Sequence, residues 1–264
     1  MGCDSNASRR DILRILAGGA LLAAGARPAF AGLTRIDRLI VESKALPTIS
    51  QRIGFISNAL LGSPYLKRSL IGGPNLPEQM VLRDDGFDCV TYCETVLAAA
   101  MVREPGEFAD TLRKIRYHDG IVDWRGRNHY FSEWSDSNVA NHICQRVTLP
   151  GSHAVPRTVN YMPELGERQV TLAAIPCPNL LANAKLVSTG DIVGFMSQRP
   201  KLDYFHIGFV VIRDGKMFVR HAAQSKHRVL DERMDSFLAF NRVRRVTLLR
   251  PEEPAPVAVA VHAN

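Results

Sequence analysis

Apolar residues recur at helical spacing early in the chain, first at Ile36, Leu39 and Ile40 and then at Ile53, Ile56, Leu60 and Leu61. Breaks at Pro47 and at Gly62-Ser63-Pro64 divide this stretch, so two or three short helices are expected before residue 70. Residues 72–77, Gly-Gly-Pro-Asn-Leu-Pro, read as a loop. Asp84-Asp85-Gly86-Phe87-Asp88 reads as a turn, after which Cys89, Cys93, Val96, Leu97, Ala100 and Met101 fall on one helical face. A helix therefore starts at or beside Cys89. A second is predicted over 107–116, with Phe108, Leu112 and Ile115 inward. Residues 117–134 are aromatic and charged without a clear period and read as a long functional loop or lid. The second half turns to strand patterns at 146–149, 169–175, 191–195, 207–213, 216–221 and 243–249, and Asp214-Gly215 is a two-residue hairpin signal. Helices followed by an antiparallel sheet define an α+β domain.

Composition adds a compartment. The 264 residues are 46% hydrophobic with a formal charge of +7, the balance of an ordinary globular protein. Arg9-Arg10 precede a short Gly/Ala-rich apolar run, and Ala29-Phe30-Ala31 offers small residues to a signal peptidase. Residues 1–31 thus read as a twin-arginine export signal, placing the mature protein in the periplasm or otherwise outside the cytoplasm. The run is too short and weakly apolar for a stable membrane span, which needs about 20 residues. Removing 1–31 leaves 29 basic and 24 acidic residues, an excess of +5 suited to dwelling near anionic polymers. No Arg/Lys cluster is interleaved with aromatics, which argues against nucleic acid as a partner. Residues 32–75 form an N-terminal helical extension, 76–250 the main domain and 251–264 a frayed tail. Cys89, Cys93, Cys144 and Cys177 would enter an oxidising compartment; Cys144 with Cys177 is the first pairing to test among those possible.

Cys89 carries the chemical interest. A thiol at a helix start meets unpaired N–H groups and the positive end of the helix dipole, which favour thiolate. A nucleophile needs a base, and His206 precedes the apolar strand 207–212. With Asp214-Gly215 as the turn, His221 faces Gly208 and His206 faces Ala223, so both histidines share one face as diagonal neighbours about 7 Å apart. A second polar residue beside the first can fix its tautomer. Blander readings compete: Cys93 as an apolar filler, a strand histidine as structural, or Cys89, Cys93, His206 and His221 as a zinc site. Against zinc, the cysteines sit on a helix and Cys93 continues its apolar stripe.

The segments Gly86–Tyr92, Ile115–Gly120, Arg127–Trp134, Gly190–Gly194 and His206–Val210, in this order, resemble the N-acetylmuramoyl-L-alanine amidase-like family, a branch of the NlpC-type cell-wall cysteine peptidases with a papain-like core. The likeness spans roughly residues 76–230. It implies a cysteine amidohydrolase of peptidoglycan or muropeptides that needs no cofactor and no metal, with Cys89 as nucleophile, His206 as base and His221 as the orienting residue. It further implies a substrate wall of Arg116, Arg127, His129, Tyr130 and Trp134, whose plainer reading is a packed loop, and Asp88 placed to hold a substrate amino group. Val90-Thr91 replaces the Ser-Gly usual after the cysteine of the related endopeptidases, so their bond preference does not transfer. Stem-peptide cleavage and non-catalytic binding of wall fragments are the alternatives.

Overall fold

The computed structural model describes residues 33–254, so the segment read as an export signal and most of the expected tail lie outside the described residues. Helices α1 (Arg35–Ser43) and α2 (Ile49–Ala59) each open with a reciprocal cap, Thr34 with Asp37 and Thr48 with Gln51. Residues 72–77 are not a plain loop: β1 (Ile71–Gly73) and β2 (Leu76–Gln79) pair antiparallel across Pro74-Asn75. Both strands are largely solvent-facing, so no apolar alternation announced them.

Helix α3 (Cys89–Met101) is the centre of the molecule. From Thr91 to Ala100 every residue is buried, which makes it a helix wrapped on all sides rather than one with a single inward face. Alanines 98–100 let neighbours approach closely, and α1, α2 and α4 (Phe108–Arg116) pack around it in one core. Burial on all sides traps Glu94 inside, where a lone carboxylate is costly. Arg116 answers it: Nε lies 2.7 Å from Glu94 Oε2, both side chains are 2% exposed, and Nη1 donates to the Val81 carbonyl at 2.9 Å.

The remainder is an antiparallel sheet ordered β4-β5-β10-β6-β7-β8-β9, with β3 also on β10. The strands are β3 (Cys144–Val147), β4 (His153–Val159), β5 (Arg168–Pro176), β6 (Ile192–Met196), β7 (Tyr204–Arg213), β8 (Lys216–Ala223), β9 (Arg228–Arg233) and β10 (Arg245–Pro251). One face carries α3; the other is covered by α6 (Cys177–Ala182) and α7 (Met234–Phe240), giving a second core. Strands β4 and β9 end the order, and their polar composition hid them from pattern reading. The hairpin register is as the turn dictates: Phe209 opposes Arg220 and Arg213 opposes Lys216. At the entry to β6, Gly190 has φ +93°, a conformation that favours glycine, and buried Asp191 is held bidentately by Arg250 at 2.8 Å.

The segment 117–134 is only partly irregular, because its end forms α5 (Phe131–Ala140). The helix start is pinned from a distance. Ser132 donates through its backbone N–H (2.8 Å) and hydroxyl (2.7 Å) to buried Asp203, just ahead of β7, and Phe131 stacks on Trp134. All four cysteines in the described residues are free thiols, so the Cys144–Cys177 pairing does not form; they sit in different cores. No helix among the described residues is long and apolar enough to cross a membrane.

Arg116→Ala should destabilise the protein by about 3–5 kcal/mol, because it strands the Glu94 charge. The double variant Glu94→Gln/Arg116→Met should cost less than Arg116→Ala alone. Chemical denaturation of the three proteins measures this.

Candidate active site

Asp88 sets the start of α3. Its Oδ1 accepts from the backbone N–H of Val90 (3.0 Å) and Thr91 (2.8 Å), its own N–H donates to Thr91 Oγ1 (3.0 Å), and Ser69 donates to Oδ2. This box makes Cys89 the first helical residue. The carboxylate expected to take a substrate amine is thus engaged by its own helix.

The Cys89 thiol is not a resting thiolate. Burial, then the neighbouring Asp88 charge, pushes it up to about 12, against backbone N–H groups of Ile207, Cys89 and Val90 that favour the anion. Desolvation outweighs the helix start here. The Ile207 contact is informative, since Ile207 follows His206 on β7. β7 pairs with β8 only from Phe209 onward, while His206–Gly208 keep their pairing with β6. Where β7 and β8 part, the thiol meets the Ile207 backbone from the α3 side.

His206 and His221 lie on the opposite face, beside Phe195 and Phe237. His206 Nε2 is 2.6 Å from His221 Nδ1, and His221 Nε2 is 3.0 Å from Glu232 Oε2. Burial first, and then His221, lowers His206 to about 3, so its ring is neutral. His221 is also lowered by burial, while Glu232 opposes that shift. An open cleft of about 690 Å³ exposes this row, rimmed by Phe205, Lys226 and Phe240.

Two residues of this neighbourhood escaped sequence reading. Glu232 lies on a strand that was not predicted; once β9 pairs Val219 with Glu232, it becomes a diagonal neighbour of His221. Tyr65, beside Cys89 and Asp88, is raised to about 12 chiefly by burial, so its hydroxyl stays a donor. The distance in sequence from Cys89 gave no signal for it.

The five residues expected to form a wall all have partners within the protein. Arg116, Tyr130 and Trp134 are buried, the first on Glu94 and the second accepting at its hydroxyl from the Met162 N–H (2.9 Å). Arg127 is ion-paired to Glu78 at 2.9 Å, and His129 Nε2 lies 2.6 Å from the Trp124 carbonyl. In this structure their contacts are those of a packed segment. Cys93 faces the core one turn below Cys89, and no group of His, Cys, Asp and Glu among the described residues could hold a metal ion.

This α+β arrangement is that of the cell-wall amidases. Residues 55–243 match the N-acetylmuramoyl-L-alanine amidase-like family, and the chain belongs to it. A solved N-acetylmuramoyl-L-alanine amidase from Bacteroides uniformis is similar, with 25% identity and a TM-score of 0.68 over 75% of this chain and 97% of that one. A Legionella pneumophila protein gives 22% and 0.72 over 83% and 94%. A putative xylanase from Bacteroides fragilis gives 21% and 0.65 over 74% and 98%. These last two likenesses show the fold alone. No curated protein matches the chain.

Gly208 permits the histidine pair: a Cβ there would lie 2.8 Å from the Arg220 carbonyl and 3.0 Å from His221 Cβ. Gly208→Ala should therefore lower stability by about 1–3 kcal/mol and displace His221. Thermal melting and a crystal structure of the variant check both. A second expectation concerns acid. His129, at about 4, and His206, at about 3, bind protons more readily when unfolded, near 6.5. Their contribution is present above pH 6.5 and is lost as pH falls through the folded values. The Tm should decline below pH 6.5, and His129→Asn should flatten that decline.

Proposed function

We propose that this protein hydrolyses an amide of peptidoglycan or its muropeptides by thiol catalysis, most simply the bond between N-acetylmuramic acid and L-alanine. Family membership supports the substrate class. Two observations support the mechanism: Cys89 lies against the backbone of Ile207, the residue that follows His206, and His206 is joined to His221.

Starting neutral, the thiol gives its proton to His206 Nδ1 as sulfur attacks the carbonyl carbon. The Cys89 N–H, with the Tyr65 hydroxyl nearby, supplies donors for the oxyanion. Collapse expels the amine, which takes the proton from His206 and leaves a thioester. Water then adds with His206 again as base, and release of the acid restores the thiol. No cofactor enters these steps. Export by the twin-arginine segment puts the enzyme where its polymer is.

Cys89→Ala should reduce muropeptide cleavage by at least about 10³-fold while leaving the Tm nearly unchanged. Mass spectrometry of the digest identifies the bond: free stem peptide supports the amidase reading, and shortened stems point to an endopeptidase. Full activity of Cys89→Ala rules out the thiol mechanism. Replacing Arg9 and Arg10 by lysine should retain the protein in the cytoplasm, as fractionation would show.

A further inference from the structure

We infer that Glu232 is a positioning residue that sets the proton pattern of both histidines and thereby leaves His206 Nδ1 as the base. This rests on the thiol reading above and adds a fourth member to it.

An ionised carboxylate accepts hydrogen bonds and has none to give. At 3.0 Å from Glu232 Oε2, His221 Nε2 must therefore be the donor. A neutral His221 then has its lone pair on Nδ1. That nitrogen lies 2.6 Å from His206 Nε2, which must in turn donate. The neutral His206 consequently has its proton on Nε2 and its lone pair on Nδ1, the nitrogen left for the thiol. Each step follows from the one before, and the first is fixed by the carboxylate alone. Without it, His221 is free to hold its proton on Nδ1, point it at His206 Nε2, and drive the His206 proton onto Nδ1, where it blocks attack.

Geometry supports a dedicated role. His221 is buried, whereas Glu232 is half-exposed on β9 and reaches it diagonally across the strand pair. The neighbouring charges are otherwise occupied or peripheral. Asp231 is tied to Arg220 at 2.7 Å and to Arg213 at 3.1 Å, Lys226 and His227 line the outer cleft, and α7 presents Phe237. Glu232 also offers negative charge to the imidazolium that forms when the thiol proton is taken up. The proton travels from sulfur to His206 Nδ1 only, and none passes to Glu232.

The test compares the wild-type protein with Glu232→Gln and Glu232→Asp. Gln keeps the shape but can donate or accept, so both proton patterns become available. Glu232→Gln should lower kcat about 10- to 100-fold with KM within about threefold, the range for a group acting through another. Alkylation of Cys89 by iodoacetamide, read by peptide mass, should move to higher pH by about one unit in Glu232→Gln, because the thiolate–imidazolium pair loses its counter-charge. Glu232→Asp should restore much of both. A Glu232→Gln protein with wild-type kcat and a superimposable alkylation profile overturns the inference, whether or not its Tm has changed. Cleavage that survives Cys89→Ala, or a wild-type Cys89 inert at every pH, overturns the thiol mechanism itself.

Discussion

The structure depends on burying α3 from every side. A helix with no solvent face must be matched by neighbours all round, and α1, α2, α4 and the β7–β8 part of the sheet supply them. The same constraint explains why Glu94 needs Arg116 and why Arg116 is drawn in from the end of α4. It also sets the place of the Cys89 thiol. With the helix body immobilised, the Asp88 box fixes where the first turn begins, and Cys89 is held at the parting of two strands.

That burial has an electrostatic cost at the site. The helix start and three N–H groups favour an anionic sulfur, yet desolvation overrides them, and the same apolar surroundings keep His206 neutral. The thiol and the His206 ring are therefore both uncharged at rest. A neutral resting thiol is less open to stray electrophiles and oxidants than a standing thiolate.

Much of this was legible in the sequence, for local reasons. The helix from Cys89 announced itself by apolar spacing behind the turn at residues 84–88, and the Asp214-Gly215 turn dictated the register that brings His206 to His221. Long-range and polar determinants were not legible. α5 starts where it does because Asp203 reaches it across 71 residues, and no local pattern records that. Glu232 sits in a charged, interrupted strand that defeats alternation. Arg116 and Trp134 have the chemistry of ligand-binding residues, and no local pattern records that the arginine is buried opposite Glu94 or that the indole stacks on Phe131.

The histidine pair spans only 15 residues and one tight turn, whereas Cys89 is separated from His206 by nearly half the chain. Closing the short loop costs little entropy; docking α3 against the finished hairpin costs more and comes with the global fold. The His206–His221 pair can form within a local unit, while Cys89 takes its place only when the whole domain has condensed. A chain that has not yet folded therefore has its histidine pair without the Cys89 helix docked on the sheet, so the proposed chemistry is withheld until the domain is complete, a form of safety built into the order of contacts.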